Sequence, residues 1–109
     1  MTTTARVFNV SHLSGKTLDY QMYLHACKVL NQPHNKGEFE AGYEKGQFHF
    51  STDKSLLVDL LETYRVNVQF LAGEWLASNT QGSAYSASPL EAVCRLILLI
   101  KYGTKGIQE

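Results

Sequence analysis

Cysteine and proline, two of each, are scarce in this sequence, and a surplus of charge of either sign is absent. Ten acidic residues cancel ten basic ones, which removes the overall electrostatic footprint of a nucleic-acid or membrane-surface binder and leaves a polyanion only a local basic patch. The two cysteines, Cys27 and Cys94, sit in apolar stretches and read as buried thiols. The four histidines, at 12, 25, 34 and 49, are scattered. Neither Cys-x-x-Cys nor His-Glu-x-x-His occurs, so no metal ligand set and no cofactor is expected. The longest apolar run, "LILLI", falls far short of the ~20 residues a bilayer span takes, and the start "MTTTARVFNV" lacks a secretory signal's apolar stretch. The expectation is a soluble cytoplasmic protein with neither membrane nor nucleic acid as partner.

What is present is a globular composition, 44% hydrophobic and 18% charged over 109 residues, enough for one core. The chain reads as one small domain, 1–109, with 1–5 and 104–109 as tails. Apolar residues Leu18, Met22, Ala26, Val29 and Leu30 recur at helical spacing from about Lys16 to Leu30, and "NQPHNKG" stops that helix. Residues 38–47 read as irregular. "STDKSLLVDLLETY" reads as a second helix, capped by Ser51 or Thr52 with Asp53 in the first turn. "VNVQFLAGEWLAS" alternates, turns at Ala72-Gly73 and returns through Trp75, a hairpin. "NTQGSAYSA" reads as a polar loop, so "RVFNV" or "GQFHF" is expected to supply a third strand, since a lone hairpin is marginal.

The closing helix has the clearest local signals: Ser88 as cap, Pro89 at the first helical position, Glu91 to complete a capping box and Gly103 at the end. Between them "AVCRLILLIKY" is apolar nearly all round, which suits the centre of the domain or a subunit interface. The fold expected is α+β, three helices around a small antiparallel sheet containing a β-hairpin.

Within "FHFSTD", His49, Ser51 and Asp53 look like a compressed hydrolase triad. No Gly-x-Ser-x-Gly elbow surrounds Ser51, and the three straddle a strand-to-helix junction, where side chains diverge. A helix cap is the reading favoured. "SGKT" at 14–17 mimics the end of a phosphate-binding loop, but Val10 stands where its first glycine belongs, so it reads as a helix start. Tyr20, Phe48, Phe50, Trp75 and Tyr85 lie at junctions where rings line a cleft or pack a core. Arg95 inside an apolar helix needs a carboxylate, a carbonyl or a ligand phosphate, and Glu91 one turn earlier is available.

Taken in order, "VSHLSGKTLDY", "FSTD" and "SPLEAVCRLILLIKYG" resemble the NinX-like family of small tailed-phage proteins. The matching positions are Leu13, Gly15, Leu18, Asp19 and Tyr20; Ser51, Thr52 and Asp53; Trp75; and Pro89, Leu90, Ala92 and Arg95. Where that family often continues with tryptophan after the tyrosine, this chain has Gln21. The resemblance implies a phage accessory protein of a family without an assigned activity. With no convincing catalytic set, the function expected is counter-defence in the host cytoplasm: sequestration, without catalysis, of a nucleotide-derived immune signal such as a cyclic dinucleotide or an ADP-ribose derivative. Tyr20, Phe50 and Trp75 would stack on a base, and Ser51, Thr52, Asp53 and Arg95 would surround phosphate or ribose. The greasy last helix suggests pockets shared in a homo-oligomer. The alternatives are a module that docks on a host protein through that helix or the hairpin, and an enzyme that cleaves the signal through His49.

Overall fold

The computed structural model describes residues 9–108. A 3-10 turn, Val10–His12, precedes α1 (Gly15–Val29) and α2 (Lys36–Glu44); a second 3-10 turn, Lys54–Leu56, leads into α3 (Leu57–Tyr64). Then come β1 (Asn67–Leu71), β2 (Glu74–Asn79), β3 (Gly82–Ser86) and α4 (Pro89–Tyr102). The class is α+β, with four helices where three were expected and one antiparallel sheet in the order β1-β2-β3.

The hairpin forms in the expected place. Ala72 and Gly73 both adopt positive φ, 52° and 85°, which lets the chain turn with the twist of its strands; Phe70 then pairs with Trp75 and Val68 with Ala77. The third strand is a correction. It is Gly82–Ser86, inside the stretch read as a polar loop, and it pairs Ala84 with Ala77 and Ser86 with Trp75. "GQFHF" is not a strand, and most of "RVFNV", like residues 1–5, lies outside the described residues. Small side chains explain the miss: Ala77 and Ala84 are buried because α4 lies across them, and little bulk fits between helix and sheet.

That helix is the centre of the fold. Ala92, Val93, Cys94, Leu96, Ile97 and Leu98 are buried in near-unbroken succession, with β2 and β3 against one side and α1 and α3 against others. Its all-round apolarity is thus used within the chain. Ser88 Oγ accepts the Glu91 N–H at 3.1 Å, but the reciprocal half of the capping box is not made, because the Glu91 carboxylate instead takes the Ser86 hydroxyl and pairs with Arg95.

Three further expectations need revision. Residues 38–47 are mostly helix: Asn35 Oδ1 caps α2 by accepting the Glu38 N–H at 3.0 Å, and Phe39 and Gly42 are buried. A side chain at Gly42 would collide with the Phe48 ring, so this glycine serves packing and is no breaker. Val29 and Leu30, expected on the buried face of α1, are 66% and 63% exposed. Residues 104–108 are no free tail: Val10 donates to the Thr104 carbonyl, and the Gln21 amide bonds both N–H and C=O of buried Ile107.

Candidate functional site

The segment between α2 and α3 that carries "FHFSTD" is held by one buried carboxylate. Asp19 on α1 is 1% exposed, and burial of a charge is tolerable only when donors surround it. Two do: the Ser51 N–H donates to Oδ1 and the Tyr43 hydroxyl to Oδ2, each at 2.7 Å. Burial first, and the Asp19 carboxylate next, push the Tyr43 phenol up to about 12. The Cys94 thiol reaches the Phe50 carbonyl at 3.7 Å, and burial raises that thiol well above its ordinary value. Both cysteines are buried and free.

His49 belongs to the same frame. Its ring stacks on Tyr43 with centroids 3.9 Å apart. Nε2 donates to the Tyr43 carbonyl at 2.9 Å, while the His49 carbonyl accepts the N–H groups of Thr52 and Asp53. The expected cap is corrected here. Asp53 performs it by accepting the Ser55 N–H at 3.1 Å, since the helix entry is a tight 3-10 turn that starts at Lys54, two residues beyond Thr52. Ser51 caps nothing: its Oγ is the one buried side-chain polar atom among the described residues with no hydrogen-bond partner. The trio 49, 51 and 53 therefore has no hydroxyl-to-imidazole or hydroxyl-to-carboxylate bond.

Two cavities lie on either side of this turn. Ser51, Thr52, Lys54 and Leu57 meet Ser88, Pro89 and Leu90, the start of α4, around a cleft of about 370 Å³. Pro89 has no N–H and Ser88 takes those of Glu91 and Ala92, which leaves the Leu90 N–H as the donor at this helix start. Phe50 lines the other cavity, an apolar groove between α1 and α3.

The residues singled out by sequence are distributed, not gathered. Ser51 and Thr52 share the cleft, and Phe50 belongs to the groove. Tyr20 borders a third hollow between α1 and α2, where Lys36 lies 5.6 Å from its ring centroid. Trp75 packs edge-on against Phe70 at 5.3 Å near the hairpin end. Arg95 is occupied by its own chain: Nε donates to the Leu13 carbonyl at 2.7 Å, Nη1 to the Tyr85 carbonyl at 2.6 Å, and Nη2 pairs with Glu91 at 3.3 Å. It ties β3 and the start of α1 to α4. Lys54, Leu57, Ser88, Pro89 and Leu90 of the cleft were missed, and so were His25 and Tyr64 of the groove. For Ser88 and Pro89 the signal was present but read only as a helix start.

Among the described residues, no group of three or more His, Cys, Asp or Glu side chains is placed to hold a metal ion, and no helix is long and apolar enough to cross a membrane. No family model, no curated protein and no solved structure matches this chain.

Proposed function

We propose that the chain is a phage accessory protein that acts in the host cytoplasm by binding and holding a nucleotide-derived signal without transforming it. The observation that carries this reading is the Ser51 hydroxyl, buried and without a partner, in the residue set that lines the cleft at the start of α4. A buried hydroxyl left unbonded costs about 1–3 kcal/mol, a cost a ligand oxygen would remove on a turn of the Ser51 side chain toward the cleft. Lys54 supplies a cation for phosphate, and Thr52, Ser88 and the Leu90 N–H supply further hydrogen bonds to phosphate or ribose. Leu57, Pro89 and Leu90 offer apolar surface to a ring. At about 370 Å³ the cleft is at the small end of ligand pockets, roughly 300–1,000 Å³, so a cyclic dinucleotide or ADP-ribose derivative would extend over its rim. Holding without cleavage accords with the bonds of His49 and Asp53, which go to Tyr43 and Ser55 and not to Ser51.

Native mass spectrometry of the purified protein, followed by calorimetry with cyclic dinucleotides and ADP-ribose derivatives, tests the reading and gives the subunit count. Intact ligand recovered after heat release is the expected result. No binding to any of these compounds overturns the proposal, and recovery of cleaved ligand would favour an enzyme instead. α4 is covered by its own chain, so a homo-oligomer now needs another surface.

A second reading rests on the hairpin and its neighbour β3, where Leu71 and Tyr85, 42% and 49% exposed, share one sheet face and Phe70, 57% exposed, stands on the other. Apolar surface of this kind suits docking on a host protein. That reading expects a stable heteromer on pull-down from host lysate, lost when Phe70 becomes Ser.

A further inference from the structure

The groove between α1 and α3, about 230 Å³ in volume, is as apolar in its lining as the Ser51 cleft but holds a different buried polar group. Met22, Ala26, Leu30 and Leu60 give it apolar walls, and Val29 and Leu30 leave it open, at 66% and 63% exposure. Beneath them lies a polar device. His25, 6% exposed, has Nδ1 2.6 Å from the Tyr102 hydroxyl and Nε2 2.7 Å from the Tyr64 hydroxyl. Burial, with the Lys101 cation second, holds its imidazole below the ordinary value, so the ring is neutral at pH 7.

A neutral imidazole has one donor and one acceptor nitrogen, and each phenol has one donor and two acceptor sites. Two arrangements therefore satisfy the chain from Tyr102 through His25 to Tyr64. With the proton on Nε2, Tyr64 accepts from His25 and its O–H is free to donate; with the proton on Nδ1, Tyr64 donates to His25 and keeps a lone pair free. Tyr64 also lines the groove, so it can present either polarity there without any side chain moving.

We propose that this groove binds a small, uncharged, largely apolar molecule with one hydrogen-bonding atom, of phenol or indole size, with that atom on the Tyr64 hydroxyl. Size supports this, because an apolar cavity of ~150 Å³ already takes benzene. Charge supports it too: Asp59 lines the groove and disfavours an anion. The site is separate from the Ser51 cleft and stands whether or not nucleotide binding does.

The test compares 4-methylphenol, toluene and benzoate by amide chemical-shift titration of the full chain. The expected result is saturable binding with shifts on α1 and α3. 4-Methylphenol should be favoured over toluene about five- to tenfold, the effect of one net hydrogen bond, and benzoate should bind weakest. Tyr64→Phe should remove the preference for 4-methylphenol over toluene while retaining toluene. Ala26→Leu, which fills the groove from a half-buried helix position and spares the His25 chain, should weaken both at least tenfold. Ser51→Ala should change neither. Shifts that fail to saturate at millimolar ligand would overturn the proposal. So would a preference unchanged in Tyr64→Phe, or sedimentation showing a dimer whose groove amides are covered.

Discussion

The two cavities beside the "FHFSTD" turn are both lined mainly by apolar surface and differ in the buried polar group that each holds. In the α1–α3 groove the buried polar group, His25, is bonded at both nitrogens; in the cleft at the start of α4 the buried polar group, Ser51 Oγ, is bonded at neither lone pair nor proton. In the first the fold meets its own hydrogen-bonding needs, and a guest is offered mainly apolar surface. In the second a need is left over. The difference is a guide to what each can recognise beyond apolar surface: one hydrogen bond on Tyr64 in the groove, a polar atom for Ser51 in the cleft.

The strongest way to break the comparison is to cut the anchor both cavities depend on. Asp19→Ala leaves the buried Ser51 N–H and the Tyr43 hydroxyl without their acceptor and should cost about 3–4 kcal/mol in urea unfolding. Ligand affinity should fall at both cavities, because the turn between them loses its tether. Retained groove binding beside a lost cleft would show that the two are built independently. Arg95→Ala should cost about 2–3 kcal/mol by releasing two backbone carbonyls and Glu91. It should leave cleft affinity per folded molecule unchanged, since the guanidinium serves the fold; a lysine, without the fork, should not restore stability.

Acidification reaches the groove through His25. The folded-state pKa of His25 lies below its unfolded value, ~6.5 for an ordinary histidine. The unfolded chain therefore takes the proton first. The stabilisation from neutral His25 is whole above ~6.5 and is lost as pH falls through that value toward the lower folded one. Urea midpoints measured across this window should decline more steeply in the wild type than in His25→Gln. Ser51→Ala should cost no stability: it removes a buried hydroxyl without a partner and should raise the urea midpoint by the equivalent of about 1–3 kcal/mol. Its signature is in binding, where nucleotide affinity at the cleft should drop about tenfold, equivalent to one hydrogen bond.

Local signals in the sequence were read well where one residue type decides one backbone state. Ser88, Pro89 and Gly103 delimit α4, and Ala72-Gly73 sets the hairpin turn. α2 was missed because Gly37 and Gly42 lower helix propensity, although Asn35 and Glu38 stood at cap spacing; Gly42 is there for the Phe48 ring, a partner outside the helix. β3 was missed because its inward side chains, Ala84 and Ser86, are small to suit α4 and resemble loop composition. At the candidate site Ser51 and Thr52 were legible as a helix entry. That Asp53, not either of them, forms the cap depended on the 3-10 turn.

The sequence by itself determined the α+β class, the hairpin and the place and ends of the central helix, because periodicity, capping and turn chemistry act over a few residues. Only the tertiary structure decided that Arg95 is a brace between segments, that Val29 and Leu30 stay exposed, and that Ser51 meets the start of α4 while Phe50 faces the groove. Which polar atoms find partners depends on contacts between residues far apart in the chain, so the unsatisfied hydroxyl and the doubly bonded histidine appear only once α1, the turn and α4 are brought together.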